Sequence, residues 1–212
     1  MGLRPFMASR MMYRNGIDRK FRFRVLKHFK VDFGMSSFWQ HPLFDYSFLG
    51  DTGGLFFSNI NEAHFSMRFV FREKLVKMLG ERISMGSKFP TLLFRVDFSD
   101  RQLTRSAYTY SRFQAIFDGN KRIRNLGTSS LRVEAGYIDD GLPATLLFTG
   151  EGSLANGAPF VVKNYFQTLT PYEFLSDQYV HVHYAHNFGS LLIKGEKFKP
   201  EFTVHNKAGW GS

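Results

Sequence analysis

The sequence predicts an all-β chain, an antiparallel meander forming part of a transmembrane β-barrel with about eight to ten strands. Three observations carry this. Apolar and polar residues alternate with period two through most of the chain, as strands with one apolar face require. The 25 phenylalanines outnumber the leucines among 212 residues, although leucine is normally among the commonest residues. The opposite register is charged in mid-strand, at Arg68, Arg95, Asp97, Arg112, Arg132, Glu134 and Lys163, where a barrel presents a polar lumen.

The runs follow in chain order. Phe21, Phe23 and Val25 alternate with Lys20, Arg22 and Arg24, and Phe29, Val31, Phe33 and Met35 with Lys30, Asp32, Gly34 and Ser36. From Glu62 to Arg72 the odd positions are Ala63, Phe65, Met67, Phe69 and Phe71, and only Val70 breaks the polar register. Leu92, Phe94, Val96 and Phe98 form the next apolar set, then Phe113, Ala115 and Phe117, then Leu131, Val133, Ala135 and Tyr137. Val180, Val182 and Tyr184 face away from Tyr179, His181 and His183, and Phe202 and Val204 away from Glu201, Thr203 and His205. Turn chemistry separates the runs at Gly50–Gly54, Asp118–Lys121, Asp139–Pro143 and Ala155–Pro159. Only Arg72–Gly80 has the spacing of a short amphipathic helical turn, stopped by Gly80.

Composition removes other classes. The aromatic content of 17% excludes disorder, and the absence of cysteine excludes disulfide scaffolds and thiolate metal sites. No run reaches the ~18 apolar residues of a membrane helix, and Arg4, Arg10, Arg14 and Arg19 interrupt any secretion-signal core. A net charge of +10 leaves nucleic acid, an anionic surface or plain solvation open. A soluble β-sandwich or open barrel binding an anionic partner alternates too. Phenylalanine on one face and charge on the other favour the membrane barrel.

On that reading Phe65, Phe69, Phe71, Phe94, Phe98, Val133 and Val182 face lipid. Arg68, Arg72, Arg95, Arg112, Arg132, Glu134, Lys163 and His183 face the lumen, where Arg95 with Asp97 and Arg132 with Glu134 can pair across strands. Tyr13, Trp39, Tyr46, Tyr108, Tyr110, Tyr137, Tyr165, Tyr172, Tyr179 and Trp210 fall mostly near run ends, which suits an interfacial girdle or scattered half-buried aromatics.

Three motifs suggest chemistry and each has a plainer reading. Asp51-Thr52-Gly53 has the form of an aspartic-protease motif, but that reaction needs two carboxylates sharing a proton, and the three nearby glycines are turn chemistry. His181 and His183 share a strand face with Asp177, while His186 falls on the other face, so no convincing metal set forms. Lys20 to Arg24 interleaves cations with aromatics as a nucleic-acid platform does, yet on a strand Phe21 and Phe23 point away from the cations. The expectation is a non-enzymatic chain with no cofactor or metal. Its partners are the lipid bilayer and other outer-membrane proteins, without nucleic acid.

The stretch Phe166-Gln167-Thr168-Leu169-Thr170-Pro171-Tyr172-Glu173-Phe174-Leu175-Ser176-Asp177-Gln178-Tyr179-Val180, then His186 to Leu192, Phe198 to Phe202 and Asn206 to Gly211, resembles the C-terminal barrel region of a Bacteroidota outer-membrane family of unknown function. Phe71 to Lys74 and Arg82 to Pro90 are similar to a second block of that family. The resemblance implies an N-terminal carboxypeptidase-regulatory-like domain elsewhere in the parent chain. It also implies an outer-membrane location and a barrel distantly like the bacterial surface antigen (BamA-like) superfamily, with structural, transport or membrane-assembly roles. It carries no catalytic residues. Residues 1–212 are accordingly read as one barrel region, a fragment lacking the N-terminal domain and the first and last strands.

Overall fold

The computed structural model describes residues 12–26, 28–43, 58–71, 73, 75–78, 81–84, 87, 89–139, 141–150, 166, 169, 173–190 and 200–212. These form strands and turns, with no helix among them. Twelve strands follow in order: β1 (Met12–Leu26), β2 (Phe29–Pro42), β3 (Ser58–Val70), β4 (Leu75–Met78), β5 (Glu81–Ser84), β6 (Thr91–Ser99), β7 (Tyr110–Ile123), β8 (Gly127–Ile138), β9 (Phe148–Thr149), β10 (Leu175–Ser176), β11 (Gln178–Gly189) and β12 (Phe202–Gly211). Eight of them make one antiparallel sheet in the order β1-β2-β3-β6-β7-β8-β11-β12. The short pairs β4-β5 and β9-β10 stand outside it.

Register explains the alternation. Phe23, Val31, Met67, Phe94, Ala115, Ala135, Val180 and Trp210 are successive Cα partners across all eight strands. Every residue in that row is apolar. One position along each strand, side chains point to the other face, and there the row reads Arg22, Asp32, Ser66, Arg95, Gln114, Gly136, Tyr179 and Gly211. The sheet therefore has an apolar face and a polar face, and it is the apolar one that is exposed. Phe21, Phe33, Phe65 and Phe94 are all among its exposed side chains.

The strand ends step across the sheet. Met12 pairs with Pro42 at the start of β1, whereas the polar row from Gly211 returns to Arg22, ten residues further along β1. At the usual strand rise this is about 34 Å, against a similar distance across seven strand spacings. The ends thus run at about 45° to the strands, in the range of barrel tilts. β1 and β12 each leave one edge without a strand partner among the described residues.

Two local expectations are overturned. Within Arg72–Gly80, residues Leu75–Met78 form a strand paired with Glu81–Ser84, not a helical turn. A single turn is too short to propagate a helix, and a strand partner lies just beyond Gly80. Asp118–Lys121 is not a turn either; it continues β7, and the hairpin bends at Arg124–Leu126 with Asn125 at φ 65° and Gly127 at φ 116°. Asp118 stays in strand because Arg132 of β8 sits opposite, 3.1 Å from its carboxylate. The strand ends at Ile138, and Gly141, within the turn expected there, stands at φ 75°. Gly50–Gly54 and Ala155–Pro159 lie outside the described residues.

Candidate functional site

The polar face is the chemically dense part of the molecule. Asp97 lies between His64 and Arg112 in the register, and it is 1% exposed. Arg95 donates from Nε to Asp97 Oδ1 at 2.7 Å, and Arg112 Nη1 stands 3.8 Å from Oδ2. The same Arg112 nitrogen lies 3.7 Å from Glu62 Oε1. Glu62 also accepts hydrogen bonds from the Tyr110 hydroxyl and, at 3.3 Å, from Ser36. On β8, Arg132 donates to Glu134 and reaches Asp118 on β7. Lys30 and Arg68 approach Glu73 at 2.7 and 3.7 Å. Glu62, Asp97, Asp118 and Glu134 are each engaged by an arginine, which for the buried Glu62, Asp97 and Glu134 offsets the cost of placing charge where water is scarce.

The pairing differs from expectation in direction. Arg95 meets Asp97, and Arg132 meets Glu134, along one strand rather than across two. Residues i and i+2 share a face, and a guanidinium spans that gap. The cross-strand pairs include Arg112 with Asp97 and with Glu62, Arg132 with Asp118, and Arg22 with Asp32.

A strap of residues 141–150 covers this face at the end bearing Ile60, Tyr110 and Ile138. Leu142 and Leu146 pack with Phe38, Ile60, Tyr110 and Ile138 in one buried cluster. Arg112 Nη2 donates to the Leu146 carbonyl at 2.7 Å, and Gln40 Nε2 to Thr145 Oγ1 at 2.9 Å. Between strap and sheet lies a cavity of about 450 Å³, lined by Arg14, Glu62, Arg95, Asp97, Arg112 and Glu134 among others. The Arg14 guanidinium stacks on Phe38, 3.4 Å from the ring centre. Gly136 admits the Tyr179 and Phe148 rings, which pack edge to face with centroids 4.7 Å apart.

The structure sorts the sequence-derived residues by face. Phe65, Phe69, Phe94 and Phe98 lie on the apolar face and are exposed; Val133 and Val182 are direct partners on that face, half-buried. Phe71 lies past the end of β3, in a turn, its ring 5.1 Å from Phe89 and 4.8 Å from His28. Arg68, Arg95, Arg112, Arg132, Glu134 and His183 all lie on the polar face. Arg72, Lys163 and Asp51-Thr52-Gly53 lie outside the described residues. Val70, the break in alternation, is buried on the polar face, and its N–H donates to the His28 carbonyl at 2.8 Å.

The aromatic set divides. Tyr13, Trp39, Tyr137 and Trp210 are exposed on the apolar face near the strap end of their strands. Tyr110 and Tyr179 are instead buried on the polar face, at 1% and 6% exposure, so they belong to the site and not to a girdle. Tyr46, Tyr165 and Tyr172 lie outside the described residues. β11 pairs without interruption through His186, which places that residue opposite His181 and His183. No group of three metal-ligating side chains occurs among the described residues. Sequence reasoning passed over Glu62, Tyr110 and Gln40 as site residues, and the strap entirely. The available signal for the strap was Leu146-Leu147-Phe148, an apolar run without alternation inside a connection.

A search of curated proteins finds no match to the chain. Residues 51–199, more than half of the chain, match the C-terminal domain of a family of unknown function, DUF5686. The chain belongs to that family.

Proposed function

We propose that the chain is part of the wall of a non-enzymatic outer-membrane β-barrel, its apolar face against lipid and its polar face lining the lumen. The carrying observation is the row from Phe23 to Trp210, apolar in all eight strands and exposed along much of its length. A soluble protein rarely exposes so large an apolar patch, whereas a bilayer requires one. The 45° step of the strand ends and the neutralised charges of the opposite face agree with a barrel wall. The free edges of β1 and β12 are, in this reading, closed by further strands of a longer parent chain. That chain is a Bacteroidota outer-membrane protein with an N-terminal carboxypeptidase-regulatory-like domain. It works with the bilayer and other outer-membrane proteins in a structural, transport or membrane-assembly role. Carboxylates locked to arginines suit a wall better than proton transfer, which supports a role without catalysis.

Adjacent residues test this. Phe69→Arg places a charge on the lipid face and is expected to cost about 2–4 kcal/mol of folding free energy in bilayers. Arg68→Ala, on the other face, is expected to cost far less. Equal tolerance of the two in a lipid refolding assay, or release of the protein from membranes by carbonate washing, overturns the proposal.

A further inference from the structure

The connection leaving β8 does not depart from the sheet. Asp139 is fixed at its start by the Ser111 backbone, whose N–H donates to Asp139 Oδ2 at 2.5 Å while the Asp139 N–H donates to the Ser111 carbonyl at 3.3 Å. Beyond Gly141 the strap turns back over the polar face. Leu142 and Leu146 are 8% and 3% exposed, and their apolar neighbours come from β2, β3, β7 and β8. Ten residues thus grip four strands, two on either side of β6. The two polar ties, to Arg112 and Gln40, use side chains that also face this interior. A second insertion lies further along the same connection. Phe166 is 9% exposed, its ring 5.1 Å from both His181 and His183, in the hollow that Gly209 leaves open.

A loop belonging to the surface keeps its backbone and side chains in water. This one buries leucines into a face that is charged along much of its length, and at this end the wall supplies an apolar patch for them from Phe38, Ile60, Tyr110 and Ile138. We infer that the strap is a fixed plug that closes the barrel interior at this end, so the protein is not an open diffusion pore. The inference rests on the barrel reading, since only a closed wall gives the polar face an interior to block. It limits the function of that barrel to roles that need no standing channel, such as anchoring, assembly, or transport coupled to displacement of the plug.

The test uses the full-length protein in liposomes, with flotation and heat-modified gel mobility reporting insertion separately from permeation. Failure to insert removes the barrel reading. An inserted protein that shows steady channel conductance leaves that reading intact and overturns the plug. The expected result is insertion with no standing conductance, and at least a tenfold rise in channel events for Leu142→Asp/Leu146→Asp. An inserted double variant that stays silent also overturns the inference. Should the variant fail to insert, Gln40→Cys/Thr145→Cys decides, because the chain has no cysteine of its own. A short bismaleimide is expected to join the two in most inserted molecules, and absence of the cross-link overturns the plug.

Discussion

The Arg112 guanidinium donates to the Leu146 carbonyl at 2.7 Å while standing 3.7 and 3.8 Å from Glu62 and Asp97. One side chain therefore ties the strap to β7 and neutralises two carboxylates that are 4% and 1% exposed. Removing it leaves Glu62 with only the neutral donors Tyr110 and Ser36, and Asp97 with Arg95. Arg112→Leu is expected to lower stability by about 3–5 kcal/mol, read as a shift in the denaturant midpoint of the refolded protein. Arg112→Lys is expected to recover less than half of that, because an ammonium cannot reach three acceptors as the planar guanidinium does. Full recovery by lysine refutes the three-way role.

Gly136 is a site of close approach. A Cβ there would meet the Tyr179 ring and stand 2.9 Å from Phe148 Cζ, both held by the strap and β11. Gly136→Val is expected to cost about 1–3 kcal/mol by overpacking and to loosen the strap, so that proteolysis within 141–150 accelerates. Gly119→Ala serves as the control. Its nearest neighbour is the Phe117 ring at 3.2 Å on the exposed apolar face, which can turn aside.

Alternation suffices to sort Phe94 from Arg95, because neighbouring strand residues must face opposite ways whatever the fold around them. The same rule places His186 away from His181 and His183 without any coordinates. Longer-range facts are not written so locally. Tyr110 and Tyr179 sit at strand ends as Tyr13 and Tyr137 do; alternation puts the first two on the polar face, but that they are buried there depends on the strap, which local sequence does not reveal. The strap was hidden for another reason: its leucines answer to Phe38 and Ile60, 82 to 108 residues earlier in the chain. Asp118-Gly119-Asn120-Lys121 misleads because its composition is that of a turn, while the Asp118–Arg132 pair and the opposing Leu131 hold it in the ladder.

The true bend supplies its own test. Asn125 stands at φ 65°, a region that β-branched residues tolerate poorly. Asn125→Val is expected to cost about 1–2 kcal/mol, whereas Asn125→Gly is expected to be neutral or slightly favourable. Refolding rate and denaturant midpoint measure both. Equal effects of valine and glycine are incompatible with the left-handed turn.

The two tryptophans of the chain provide a ruler for strand tilt. Trp39 and Trp210 are both exposed on the apolar face, but they are not in one row. The row through Trp210 crosses β2 at Val31, eight residues from Trp39. That separation is about 27 Å along the strand, and the six strand spacings between β2 and β12 amount to about 29 Å. In the proposed barrel, strands tilted at about 45° bring these two displacements into balance, which sets both rings at one depth, at the interfacial level where tryptophan concentrates. Single-tryptophan variants, Trp39→Phe and Trp210→Phe, are expected to give matching quenching profiles with lipids brominated at successive chain positions, strongest for the shallow label. One ring at the interface and the other at the bilayer centre would mean that the step of the strand ends is not a membrane tilt.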